Sequence, residues 1–296
     1  MTFPRHYLPN GTPISAFGLG CSAYWAKESF AQDKAVSLVQ RAYALGINYF
    51  DTGPSYEAGE AERRLGRAIR AMDRNQLVIS SKVGTYVDAG GKRFRSFEPA
   101  QIRASVHESL QRLGVSQLDI LYLHGPTIAD LSNTVVDCLD RLKAEGLIRY
   151  SGANSFDRTV LKRLVHIPVD VVMPQYNVYD VSCHEEILSL KRAGKILIGA
   201  TALAQGIFDL RTVLPTSKKS LWYLLRMVKN DPLFLLTRMH ARRRIDELGC
   251  EPLQAAFLFL LKSSAITSSV FGTTSIAHLE ENVAAACSTG VSAAPS

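Results

Sequence analysis

The sequence predicts an α/β chain folded as a closed (β/α)8 TIM barrel with an N-terminal β-hairpin. Three observations predict it. Eight short apolar runs alternate with eight amphipathic stretches along 296 residues, the rhythm of parallel strands joined by helical crossovers. Glycine follows four of the helical stretches, at Gly46, Gly114, Gly146 and Gly194, where a helix C-cap favours left-handed backbone. The first strand-to-helix turn, Gly18-Leu19-Gly20-Cys21, lacks a third glycine, so nothing there supports the alternative of a doubly wound dinucleotide-binding sheet.

In chain order, Asn10-Gly11 between short runs marks the hairpin. Strands are expected at 16–21, 47–51, 77–82, 118–124, 148–154, 169–175, 196–201 and 269–273. Helices are expected near 33–45, 59–71, 99–113, 131–145, 157–165, 184–193, 237–248 and 276–286. Residues 202–236 fit neither pattern. A long insertion after the seventh strand belongs on the face where the βα loops gather. The segment 209–244 holds nine Lys and Arg against Asp209 and Asp231, a net +7 equal to the charge of the whole chain. A local anion site and a solvated basic helix face both fit that run. The small, polar residues 288–296 read as a disordered tail on a single domain spanning 1–296.

A hydrophobic fraction of 47% suits a folded chain with a substantial core. No apolar run is long enough to span a membrane, and residues 1–6 lack the apolar stretch of a signal peptide. The five cysteines are odd in number and form no CxxC pair. They read as reduced thiols in a cytoplasmic protein that binds no metal. Outside 209–244 the charges balance, which argues against a nucleic-acid partner. Nothing in the sequence sets the oligomeric state.

Several strand runs end in a residue that can do chemistry or hold a polar ligand: Asp51, Lys82, His124, Asn154, Gln175 and Thr201. A barrel gathers them around one mouth. Any one alone fits a capped turn or a satisfied buried group, but six at consecutive strand ends do not. Tyr56 follows Asp51 by five residues, across a Gly-Pro-Ser turn. A free phenol titrates near about 10 and is a poor acid at neutral pH. An adjacent ammonium favours the phenolate, and a carboxylate fixes the ammonium in place. An imidazole nearby can orient a substrate oxygen. Such a set protonates a carbonyl oxygen while a cofactor, since no side chain can, delivers hydride to the carbon.

These segments resemble the aldo-keto reductase family. The resemblance rests on 46–56 (Gly-Ile-Asn-Tyr-Phe-Asp-Thr-Gly-Pro-Ser-Tyr), Ser80-Ser81-Lys82, 119–124 (Asp-Ile-Leu-Tyr-Leu-His) and 148–155 (Ile-Arg-Tyr-Ser-Gly-Ala-Asn-Ser). It runs in order from the hairpin to Asn282, essentially the full chain. It implies carbonyl–alcohol interconversion on a small molecule, with NADP(H) favoured and NAD(H) possible. The implied tetrad is Asp51, Tyr56, Lys82 and His124. Gly20, Cys21 and Ser22 would line the nicotinamide end, with Asn154 and Gln175 on its carboxamide and Ser151 or Ser155 nearby. Leu203, Ala204, Gln205 and Gly206 would follow the pyrophosphate. Gly272, Thr273, Thr274, His278, Glu281 and Asn282 would hold the adenosine end.

The chain departs from the family in two places. Relatives often stack an aromatic ring from the seventh strand on the nicotinamide. Here that position falls on Ala200 or Thr201, leaving Tyr176 as a candidate substitute. NADPH-dependent relatives often carry Lys and Arg where this chain has Gly272 and His278, so the 209–244 segment, through Lys218 and Lys219, becomes a candidate source of the missing cation. That segment suits an anionic substrate equally well. Tyr24, Trp25 and Tyr86 are candidate substrate walls, joined by Trp222, Tyr223 and Phe234. Such aromatics suit sugars as well as aryl carbonyls. Two other readings compete: a cofactor-binding regulatory protein with little turnover, and an aldolase-like barrel using Lys82 as a Schiff base.

Overall fold

The computed structural model describes residues 3–88, 90–203 and 234–289. An antiparallel hairpin, β1 (Arg5–Tyr7) and β2 (Pro13–Ser15), precedes β3 (Phe17–Gly20). The chain continues through α1 (Ala23–Ala26), α2 (Gln32–Ala44), β4 (Tyr49–Asp51) and α3 (Glu60–Ile69). β5 (Val78–Val83) leads into a second hairpin, β6 (Thr85–Val87) and β7 (Arg93–Arg95), then α4 (Pro99–Leu113). β8 (Leu118–His124), α5 (Asn133–Ala144), β9 (Ile148–Asn154), α6 (Arg158–Leu164), β10 (Val171–Met173), α7 (His184–Arg192) and β11 (Ile196–Gly199) follow. Beyond the undescribed segment lie α8 (Phe234–Leu248), α9 (Pro252–Leu261), β12 (Ser268–Phe271) and α10 (Ile276–Cys287).

Eight parallel strands close in the order β10-β11-β12-β3-β4-β5-β8-β9, sealed where Ser269 pairs with Phe17 and Val270 with Gly18. Inward side chains fill the barrel, among them Tyr49, Val78, Ile120, Tyr122, Val171 and Ile198. Leu8 and Ile14 of the first hairpin join this set. The hairpin closes the lower end, where Asn10 N donates to the hydroxyl of Tyr150, near the start of β9. A larger apolar layer lies between strands and helices. The four predicted capping glycines all take positive φ.

The strands at 118–124 and 148–154 match their expected bounds; others are shorter. The 169–175 run holds its ladder only over Val171–Met173 because Pro174 has no N–H to donate. A single bridge from Gln175 to Ala200 extends it. α9 is an addition to the expected pattern. Its sequence is apolar on nearly every side, so no helical period marks it. It covers β3 and β12, with Phe257 edge-on to Phe17 and Phe271 at 4.7 and 6.0 Å. Within 209–244, the described end of α8 pairs Arg242 with Asp246 and Arg243 with Glu247, while Arg244 donates to Val178 O. Among the described residues no helix is long and apolar enough to cross a membrane.

Candidate active site

Register brings the proposed chemistry together. Asp51 on β4 lies level with Gly20 and Ser80, and His124 on β8 lies level with Asn154. Lys82 Nζ donates to Asp51 Oδ2 at 2.6 Å and to Thr52 O at 2.7 Å. Ser80 Oγ donates to the other Asp51 oxygen at 2.7 Å. Below it, the Tyr49 hydroxyl meets Ser80 Oγ at 3.1 Å and the Tyr122 hydroxyl at 3.3 Å. Tyr49, Ser80 and Tyr122 each precede a strand-end residue by two, so each sits one pleat beneath it on the same face.

Tyr56 reaches this cluster through the turn after β4, where its N–H bonds Gly53 O at 3.2 Å. A β-carbon on Gly53 would touch both the Lys82 stem and the Tyr56 ring at 3.5 Å, so the turn packs closely against both. Glu57 and Ala58 then adopt left-handed backbone (φ 49° each) before α3 begins. Lys82 Nζ stands 5.3 Å from the Tyr56 ring centroid. The His124 ring stands edge-on to Tyr56, centroids 6.2 Å apart.

Electrostatics separate the two bases. Burial works against the Lys82 charge, but Asp51 and Tyr56 outweigh it and lift the lysine above its usual range. Lys82 is therefore a fixed ammonium at neutral pH. Burial, then Lys82, Arg95 and Arg93, push His124 down to about 3. Its imidazole is neutral at physiological pH and can share a hydrogen bond without carrying charge.

A cleft of about 840 Å3 runs from this cluster to α10, within the roughly 300–1,000 Å3 span of small-molecule and cofactor sites. Of the expected residues, Gly20, Ser22, Tyr24, Trp25, Asp51, Tyr56, Lys82, Asn154, Thr201 and Leu203 line it, as do Gly272, Thr273, Thr274, His278, Glu281 and Asn282. The donor set fits an extended dinucleotide. It offers hydroxyls and carboxamides along its length. On the strand next to Asn154, His124 Nδ1 is buried without a partner among the described residues. Phe156 and Met173, which the sequence reading did not single out, also line the cleft. Phe156 directly follows Ser155 in the loop after β9 and is 53% exposed. Its place beside the predicted strand end Asn154 was the available signal.

Other expected residues, His124 among them, are not part of the lining of that cleft. Cys21 is fully buried, and its thiol is pushed far above the ordinary range by burial. Ser151 lies deep in β9, its hydroxyl donating to Asp170 at 2.9 Å. Gln175 donates its carboxamide to Asp180 at 2.8 Å. Tyr176 is buried, hydrogen-bonded to His184 Nδ1 at 3.0 Å and stacked on that ring, so it cannot replace an aromatic ring in the cleft. Ala200 and Thr201 do face the cleft. Thr201 holds a left-handed φ of 59°, costly for a β-branched residue. Asn177 Nδ2 braces its hydroxyl at 3.1 Å. Tyr86 is buried, on the face of its hairpin opposite Thr85, its ring centroid 5.4 Å from that of Phe94. Ala204, Gln205, Gly206, Lys218, Lys219, Trp222 and Tyr223 lie outside the described residues, as does the side chain of Phe234.

Comparison with known proteins meets this geometry. The family model described as "Aldo/keto reductase family" matches residues 16–291. L-galactose dehydrogenase of Arabidopsis thaliana is 30% identical over 93% of this chain and 85% of its own length. The NADH-specific methylglyoxal reductase of Escherichia coli is 27% identical over 94% and 92%. The holo form of the aldo-keto reductase AKR11C1 from Bacillus halodurans superposes with a TM-score of 0.77 at 25% identity, covering 96% of this chain and 90% of that one. The chain belongs to the aldo/keto reductase family, and it is an NAD(P)H-dependent oxidoreductase of carbonyl compounds.

Proposed function

We propose that Tyr56 is the proton donor in carbonyl reduction and the proton acceptor in alcohol oxidation. The observation that carries this is the buried Lys82 ammonium, locked by Asp51 and Thr52 beside the Tyr56 ring. A fixed positive charge next to a phenol stabilises the phenolate left when the proton moves. His124, neutral and edge-on to Tyr56, donates or accepts one hydrogen bond to the substrate oxygen. When bound, a nicotinamide supplies the hydride. In reduction the carbonyl carbon gains that hydride and its oxygen the Tyr56 proton, giving an alcohol and the oxidised cofactor.

Ser22 and Asn154 would hold the nicotinamide end of the cofactor, and Thr273, Thr274, His278, Glu281 and Asn282 the adenosine end. We take the substrate to be a small aldehyde, ketone or sugar, in keeping with relatives named for L-galactose and methylglyoxal.

Tyr56→Phe tests the assignment. Removing a positioned general acid costs about 10²–10⁴-fold in turnover, while NADPH and NADH should still bind, as read by protein fluorescence titration. A variant within about threefold of wild-type turnover would refute the role of Tyr56.

A further inference from the structure

The β6–β7 hairpin rises from the end of β5 and stands beside the mouth. Its pairing sets Thr85 opposite Arg95, Tyr86 opposite Phe94 and Val87 opposite Arg93. In a two-stranded ribbon, successive pairs face opposite sides, so Arg93 and Arg95 share the Thr85 side. Tyr86 and Phe94 share the other, with ring centroids 5.4 Å apart. The Thr85 side is the one turned to the site. Thr85 Oγ1 donates to His124 O at 3.4 Å. Arg95 Nη2 lies 3.7 Å from where a β-carbon on Gly125, the neighbour of His124, would stand.

Arg95 is braced but not neutralised. Its guanidinium carbon lies 5.7 Å from the Phe97 ring centroid, a contact that steadies a cation without cancelling its charge. Among the described residues neither Arg93 nor Arg95 has a carboxylate partner, and both are exposed. Exposed arginines are ordinary by themselves. These two share one face, at one mouth, beside the imidazole that would hold the substrate oxygen. Their field reaches it, since both help to keep His124 unprotonated.

We propose that Arg95, assisted by Arg93, binds an anionic group on the substrate, so that the preferred substrates are carbonyl compounds bearing a carboxylate or a phosphate. The planar guanidinium matches either anion with two parallel hydrogen bonds. The anion takes no part in bond making: hydride and proton still go to the carbonyl carbon and oxygen. The proposal rests on the Tyr56–His124 end being the reacting centre.

Two matched pairs test it: butanal with 4-oxobutanoate, and glyceraldehyde with glyceraldehyde 3-phosphate. The measurement is kcat/KM with NADPH or NADH at low salt, for the wild type and for Arg95→Gln, Arg93→Gln and Arg95→Lys. The wild type should favour the anionic member of at least one pair by about tenfold or more, the strength of a charge-assisted contact. The pair with the larger ratio names the anion. The ratio should fall about tenfold in Arg95→Gln, mainly through KM, and about threefold in Arg93→Gln. Arg95→Lys should recover part of it, which a purely structural role for Arg95 would not predict. A wild type indifferent to charge in both pairs, or a ratio unmoved in Arg95→Gln, overturns the proposal and leaves the Tyr56 assignment standing. Absence of turnover with all four compounds also overturns the proposal, while the Tyr56 assignment is decided separately by Tyr56→Phe.

Discussion

The two ends of the cleft are built on opposite plans. At the reacting end Asp51, Ser80, Lys82, Tyr49 and Tyr122 are buried, carried on strands and joined by hydrogen bonds of 2.6–3.3 Å. At the far end Gly272, Thr274, His278 and Glu281 are exposed, on the loop after β12 and the first turns of α10, with only Asn282 buried. The difference matches the tasks proposed for the two ends. A proton donor needs a fixed potential, which solvent would screen, so its partners are dry and anchored. Holding the distant part of a long ligand needs several contacts, each individually weak and tolerant of change.

The contrast fails if the reacting end tolerates loss of a partner. Lys82→Met should be the most damaging single change, because it leaves Asp51 buried without its counter-ion. We expect a loss of about 3–5 kcal/mol in urea unfolding. Asp51→Asn combined with Lys82→Met should recover part of that loss, since the stranded charge is gone. If Lys82→Met costs no more than the double variant, the pair is not the anchor described.

Acid sharpens the same point. His124 is depressed to about 3 in the fold against an ordinary 6.5. Above pH 6.5 the imidazole is neutral in both the folded and unfolded chain and contributes no pH dependence. Between 6.5 and about 3 the unfolded chain takes up a proton that the native site refuses, so stability falls as pH falls. The slope approaches about 1.4 kcal/mol per pH unit, or about 2 kcal/mol lost by pH 5. His124→Gln should lose measurably less over pH 7 to 5 in parallel urea titrations. Equal losses would mean that His124 titrates freely.

Legibility divides along the same line. Asp51, Lys82 and His124 show in one dimension because each breaks an apolar run. Tyr49, Ser80 and Tyr122 do not, since each looks like an ordinary strand residue until register sets it beneath a reacting group. The two-residue strand period could have found them, as each lies at i−2 from a strand-end residue. Ser151 and Gln175 also carry internal partners, Asp170 and Asp180, reached through strand crossings and local turns that no motif records. The direction of Tyr86 depends on the β6–β7 hairpin, which short polar runs do not announce. The barrel itself was readable because strand and helix alternate. α9 was not, because a helix apolar on nearly every side has no period to detect.

Ser80→Ala tests the layer beneath the reacting groups. It removes one of the donors to Asp51 while leaving Lys82 in place, so the carboxylate stays paired. We expect about 1 kcal/mol of stability lost and a several-fold fall in kcat with little change in KM. A change confined to KM would mean that the Ser80–Asp51 bond shapes binding rather than the proton donor's setting.

The smallest effect belongs to the far end. His278 lines the cleft on the exposed first turn of α10, its N–H capped by Ser275 Oγ at 3.3 Å. The family resemblance implies an arginine at this position in NADPH-dependent members, where it would meet the 2′-phosphate. His278→Arg should tighten NADPH binding about three- to fivefold, the scale of one exposed ion pair, and move NADH binding by less. The gain should shrink as salt rises from about 0.05 to 0.5 M, because an exposed pair is screened. Fluorescence titration with both cofactors reads it directly. An equal gain for NADH and NADPH would show that the new guanidinium meets a part the two cofactors share. A gain far above tenfold would show that the far end is as sheltered as the mouth, and the contrast between them would be lost.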